Sequence, residues 1–155
     1  MSLFFANAIS LGGEALISGA LLPYCFLEIV APPTGRVLLK KISFNSAGAA
    51  ARSYTYGLGN PAAAGISPSM TWPLVAADPS TPVPSLTIAT AWAVEPTQPT
   101  KFFRRLTDLA SQPDPGWNFP QGLGIYNGES LAVWVTGISG SSNRVNVGFS
   151  LEIDA

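Results

Sequence analysis

The sequence contains no histidine and a single cysteine. Without histidine, Ser–His–Asp and Cys–His hydrolases are excluded, and so is any His-ligated metal site. One cysteine, Cys25, excludes an internal disulfide framework and a cysteine-cluster zinc site. It lies in an apolar run and reads as a buried free thiol. Charge is scarce as well. Only 11% of the residues are Asp, Glu, Lys or Arg, against about 25% in average soluble domains. Eight basic residues face nine acidic ones, a net charge of −1, so there is no global field to attract nucleic acid. The acidic residues form no dense motif and no D-x-D-x-D-G calcium loop. No catalytic residue, metal ligand or cofactor site is therefore expected, and the chain reads as a non-enzyme.

A positive n-region is missing too, because the first basic residue is Arg36. The apolar leader 1–22 thus fails as a signal peptide. Glu14 and the pair Gly12–Gly13 make it a poor membrane span. It reads as an N-terminal arm ahead of one domain over 23–155. Its apolar residues, Phe4 and Phe5 among them, must be covered. The expectation is that the arm crosses to an adjacent subunit or to a shell rather than staying on its own domain.

What the chain has in quantity is turn residues: 15 glycines and 14 prolines among 155 residues. Between them lie short apolar segments with period-two alternation, the signature of half-buried strands. Strands are expected over 23–31, 35–44, 52–59, 85–94, 100–107, 121–126, 130–137 and 144–153. Six prolines between 60 and 84 leave no room for an ordinary helix. Ile66, Met70, Trp72, Leu74 and Val75 nonetheless make that stretch too apolar for a disordered linker. It reads as an ordered excursion with one short strand near 70–76, packed through Trp72. Between Ser53 and Val94 the only charged residue is Asp78, so the domain or another subunit must cover this region. Asn127–Gly128 is the strongest hairpin dipeptide. Eight or nine strands with almost no helix predict an all-β fold, an antiparallel β-sandwich or jelly roll.

Some motifs dissolve on inspection. Gly57-Leu-Gly59-Asn-Pro-Ala62 fits a dinucleotide-binding pattern, but Gly65 and Pro68 shut the helix it would need. Lys40–Lys41 and Arg104–Arg105 each place one charge outward and one inward or at an interface, since successive strand residues point to opposite faces. An inward arginine would want an acidic partner across a subunit contact; the bland alternative is an edge charge that blunts aggregation. Trp117 and Phe119, in the loop DPGWNFP, are either a plug over the core or a contact with a partner.

From Arg36 onward the chain resembles a family of small virion proteins of tailed bacteriophages, related to the trimeric β-sandwich cement proteins that decorate capsids. The resemblance is carried by RVLLKKISF, YTYGLGNPAAAG, PLVAADPSTP, ATAWAVEPTQPTKFFRRL, GWNFPQGLGIY, SLAVWVTG and the closing VNVGFSLEID. It covers about three-quarters of the chain and has no catalytic residues to transfer. It implies a capsid decoration or cement subunit, a homotrimer on the head surface of the virion, whose partners are itself and the major capsid protein or other virion proteins. No nucleic acid or membrane partner is implied. Phe4, Phe5, Arg104, Arg105, Trp117 and Phe119 are then the candidate assembly interface. The other class of function is a jelly-roll carbohydrate- or receptor-binding module of a phage tail or fibre. It would use Trp72, Trp117, Tyr54 or Tyr126 as a stacking platform.

Overall fold

The computed structural model describes residues 2–9, 24–47, 54–99, 104–108, 115–137 and 146–155. Among these there are eleven β-strands and no helix. They are β1 (Leu3–Ile9), β2 (Tyr24–Val30), β3 (Arg36–Ala47), β4 (Tyr54–Gly59), β5 (Ile66–Thr71), β6 (Val75–Ala76), β7 (Thr87–Val94), β8 (Arg104–Asp108), β9 (Gly116–Tyr126), β10 (Ser130–Gly137) and β11 (Asn146–Asp154). One sheet has the order β6-β1-β11-β3-β9, the other β5-β7-β2-β10-β4-β8. Neighbours in both sheets run antiparallel. The two sheets pack face to face, so the expected β-sandwich is the fold.

The core is the set of inward side chains between the sheets. β1 alternates strictly, with Phe4, Ala6 and Ala8 buried and Leu3, Phe5, Asn7 and Ile9 exposed. β11 contributes Val147, Phe149, Leu151 and Ile153, the residues its period-two pattern points inward. At the centre Phe44 of β3 stacks on Tyr56 of β4, linking the two sheets, with ring centroids 4.4 Å apart and planes 2° from parallel. Trp117 and Phe149 meet Phe44 edge-on, at 5.0 and 5.7 Å. Both geometries suit the ring quadrupole and add about 0.5–1.5 kcal/mol each beyond burial. Cys25 is buried and unbridged.

Several expectations are corrected. The described residues hold eleven strands, where eight or nine were expected. The N-terminal arm is a home strand as far as Ile9: β1 pairs with β11 over seven residues, Leu3 opposite Asp154 through Ile9 opposite Gly148. It does so because Phe4 and two alanines fill an inward row that the closing strand would otherwise leave bare. The excursion 60–84 holds two strands. β5 extends the second sheet beside β7, and β6 extends the first beside β1. The chain thereby crosses one open side of the sandwich, with Leu74 buried and Trp72 packed on the core. Trp72 Nε1 donates to Thr90 Oγ1 at 2.9 Å.

β9 begins at Gly116, so Trp117 and Phe119 stand in a strand rather than a loop. Pro120 hid this, yet an edge strand tolerates proline because one side of its backbone has no ladder to supply. A bulge opposite Leu39 and Lys41 absorbs the irregularity. Lys40 Nζ donates to the Pro120 carbonyl at 3.0 Å there. Asn127–Gly128 does form a tight turn, with φ of 26° and 75° and a Glu129 N–H to Tyr126 C=O bond of 2.7 Å. It is not a hairpin, because β9 and β10 belong to different sheets. It is instead a corner, bonded to the 32–35 corner through Asn127 N–H to Gly35 C=O and Gly128 N–H to Pro32 C=O, both 3.1 Å.

Candidate functional site

The structure does not bring the six expected interface residues together. Phe4 is 1% exposed, inside its own core, and is lost to any partner. Phe5, one residue on, points outward beside Val75, its register partner on β6. Arg104 is exposed at the start of β8, on the opposite edge of the second sheet. The backbone of Arg105 lies opposite Gly57; its side chain falls outside the described residues. Trp117 and Phe119 are half-buried against their own core. That packing is what the plug reading of this aromatic pair describes.

A different surface emerges from the exposed apolar side chains. Eight large ones are well exposed among the described residues. Leu3, Phe5 and Ile9 are on β1, Ile66 on β5, Val75 on β6, Val94 at the end of β7 and Val83 in the connection leading to it. Only Tyr126 lies elsewhere. The edges β6-β1 and β5-β7 lie on the same side of the sandwich, joined by residues 72–74. Ile66 and Val94 are register partners, 58% and 55% exposed. Val75, beside Phe5, is 61% exposed. The flank is thus rich in exposed apolar side chains, with Asp78 just after β6 and Glu95 just after Val94 as exposed charges beside it, while Arg36, Lys40 and Arg104 lie on strands toward the other flank. Of the six named residues, Phe5 alone lies on it. The signals for it were the apolar leader, with Phe5 in it, and the lone Asp78 between 53 and 94.

Next to Phe5 the outer face of the first sheet forms a shallow groove of about 240 Å³. Asn7, Ser150 and Ser43 line its floor, and Phe5, Glu152 and Lys41 form the adjoining row. On the second sheet a cleft of about 420 Å³ lies between Asn60–Ala64 and Gly128–Ser130. Behind it is Glu28, fully buried in β2. Both its carboxylate oxygens accept from the Gly65 N–H, at 3.2 and 3.1 Å. Burial raises its pKa above 4.5, and hydrogen bonds from Ser130, Gly65 and Trp92 oppose the rise. Glu95 is also raised, by partial burial, and the exposed Asp78 is lowered by its hydrogen bonds from Ser80.

Among the described residues no three His, Cys, Asp or Glu side chains gather in a metal-binding group. No helix among them is long and apolar enough to cross a membrane. The described side chains among those named for an aromatic stacking platform, Trp72, Trp117 and Tyr126, do not come together. Trp72 and Trp117 are packed on the core, Tyr126 is exposed at the far corner, and the Tyr54 side chain falls outside the described residues. Searches against protein-family models, curated proteins and solved structures returned no match.

Proposed function

We propose that this chain is a non-enzymatic structural subunit of a tailed-phage virion, a decoration or cement protein of the head that self-associates through its apolar flank. The observation that carries the reading is the segregation of exposed apolar side chains onto the β6-β1 and β5-β7 edges. A contiguous exposed apolar surface marks an association site in a stable protein. Obligate interfaces are apolar and poor in charge, and this flank has both properties. The family resemblance supplies the expected stoichiometry, a homotrimer, and the expected second partner, the major capsid protein.

We further infer that the sandwich is a jelly roll. With β5–β7 set aside as an insertion, the chain lays β1-β11-β3-β9 over β2-β10-β4-β8. That order follows when a long antiparallel pair is wound across two sheets, as in a double Greek key. In this reading the insertion is what converts a bare sandwich edge into an assembly surface.

Cryo-microscopy of the parent particle tests the assignment. Density for the sandwich on the head shell, with β1, β5 and β6 against a neighbour, is the expected result. Density at the tail tip with that flank free in solvent would transfer the protein to the receptor-binding class.

A further inference from the structure

Glu28 is the one acidic side chain among the described residues that is completely buried. It alternates with Leu27 and Ile29, which point into the core. It therefore sits on the outward face of the second sheet. Its cross-strand neighbours there are Ala89 of β7 and Ala132 of β10. Two alanines leave a slot, and the 60–65 segment roofs it. Gly65 fits because it has no side chain: a Cβ would come within 2.6 Å of Trp92 Nε1 and 2.9 Å of Glu28 Oε2. The roof has two neutral ties besides. Asn60 Nδ2 donates to the Ser130 carbonyl at 2.9 Å. Ala63 and Thr97 form a β-bridge, with Ala62 N–H to Thr97 C=O and Thr97 N–H to Ala63 C=O both 2.9 Å.

The third tie, Glu28 to Gly65, is ionisable. The elements packed on it are β7, β10 and the roof. They present the Trp92 indole, the Ser130 hydroxyl and the Gly65 amide, and none of these is charged. Glu95 and Glu129, the acids next along these elements, are exposed. A carboxylate enclosed without a cation is costly, and a protein escapes that cost by protonating it or by letting water in.

We propose that Glu28 is a proton-gated clasp: protonated, it holds the 60–65 segment on the sheet, and ionised, it lets that segment lift. The sign follows from linkage. With the roof open Glu28 is hydrated and the burial that raises its pKa is relieved; with it closed the pKa is higher. Closure therefore takes up a proton. The clasp is fully held below the ordinary value and loosens as pH rises through the raised one. Lifting 60–65 releases the start of β5 at Ile66, and this conclusion stands whether or not the flank is an assembly surface.

Hydrogen exchange of the full chain, followed by mass spectrometry at pH 4.5 and pH 8 and corrected for the intrinsic pH dependence of exchange, tests it. Amides of 60–66 should lose about tenfold in protection for each pH unit by which Glu28 is raised, while β3 and β11 keep theirs. In Glu28→Gln, whose amide oxygen still accepts from Gly65, the same segment should be equally protected at both pH values. Carboxyl-carbon NMR of the wild-type protein gives a readout that needs no variant, and Glu28 should titrate above 4.5. Unchanged protection of 60–66, loss spread evenly over all strands, or a Glu28 titration at or below 4.5 would each overturn the clasp.

Discussion

Phe44 gathers three aromatic rings in the core: it stacks on Tyr56 and meets Trp117 and Phe149 edge-on. Phe44→Ala should cost about 3–5 kcal/mol, the range for a buried aromatic replaced by a cavity, read as a lower denaturation midpoint. Gly65→Ala drives a methyl group into Trp92 and Glu28. Overpacking of this kind costs about 1–3 kcal/mol, and it should appear first as lost protection of 60–66. Glu28 also makes stability fall with pH. Its folded-state pKa is raised, so its contribution is complete below about 4.5 and declines as pH climbs through the raised value. Chemical denaturation at pH 4.5 and 8 should show that decline in the wild type, reduced in Glu28→Gln. At this scale the sequence was partly legible. Cys25 in its apolar run reads correctly as a buried thiol. Glu28 gives no such sign, because its burial is made by a roof some 35 residues further along the chain.

Among the elements, those with clean alternation were the most legible. β11 and β10 follow from period-two patterns that packing reinforces. β9 was hidden at its start by Pro115, Gly116 and Pro120, since an edge position, which makes proline tolerable, is a property of the sheet and not of the segment. β1 misled for a related reason. Its apolar character was visible, but whose sheet it joins depends on the register with β11, a contact across the length of the chain. The home position gives a clear expectation. Deleting residues 2–9 should remove Phe4, Ala6 and Ala8 from the core and abolish cooperative unfolding, followed by circular dichroism. A truncated protein that keeps its thermal transition and loses only association would restore the crossing arm. Gly128, at φ 75°, supports the corner between the sheets. Gly128→Ala should cost about 1 kcal/mol, the strain of placing a Cβ in the left-handed region.

Across the whole molecule, the organising feature is asymmetry between the two flanks. The β8–β9 flank carries exposed charge and a proline-interrupted edge strand, devices that discourage sheet-to-sheet addition. The β6-β1 and β5-β7 flank carries seven of the eight well-exposed large apolar side chains among the described residues, with Asp78 and Glu95 as exposed charges at its margin. The scarcity of charge was plain from composition, and the uncharged stretch 53–94 was plain along the chain. What composition does not tell is where that stretch sits, because only the crossing at 72–74 brings Ile66 and Val94 to the same side as Phe5 and Val75. If this flank is an interface between copies, the free chain must associate through it. Light scattering on the purified chain at micromolar concentration, beside the variant Phe5→Glu/Ile66→Glu/Val75→Glu, measures it directly. The wild type should scatter as a particle of three times the chain mass and the variant as a folded monomer; a wild-type protein that is itself monomeric would rule the interface out.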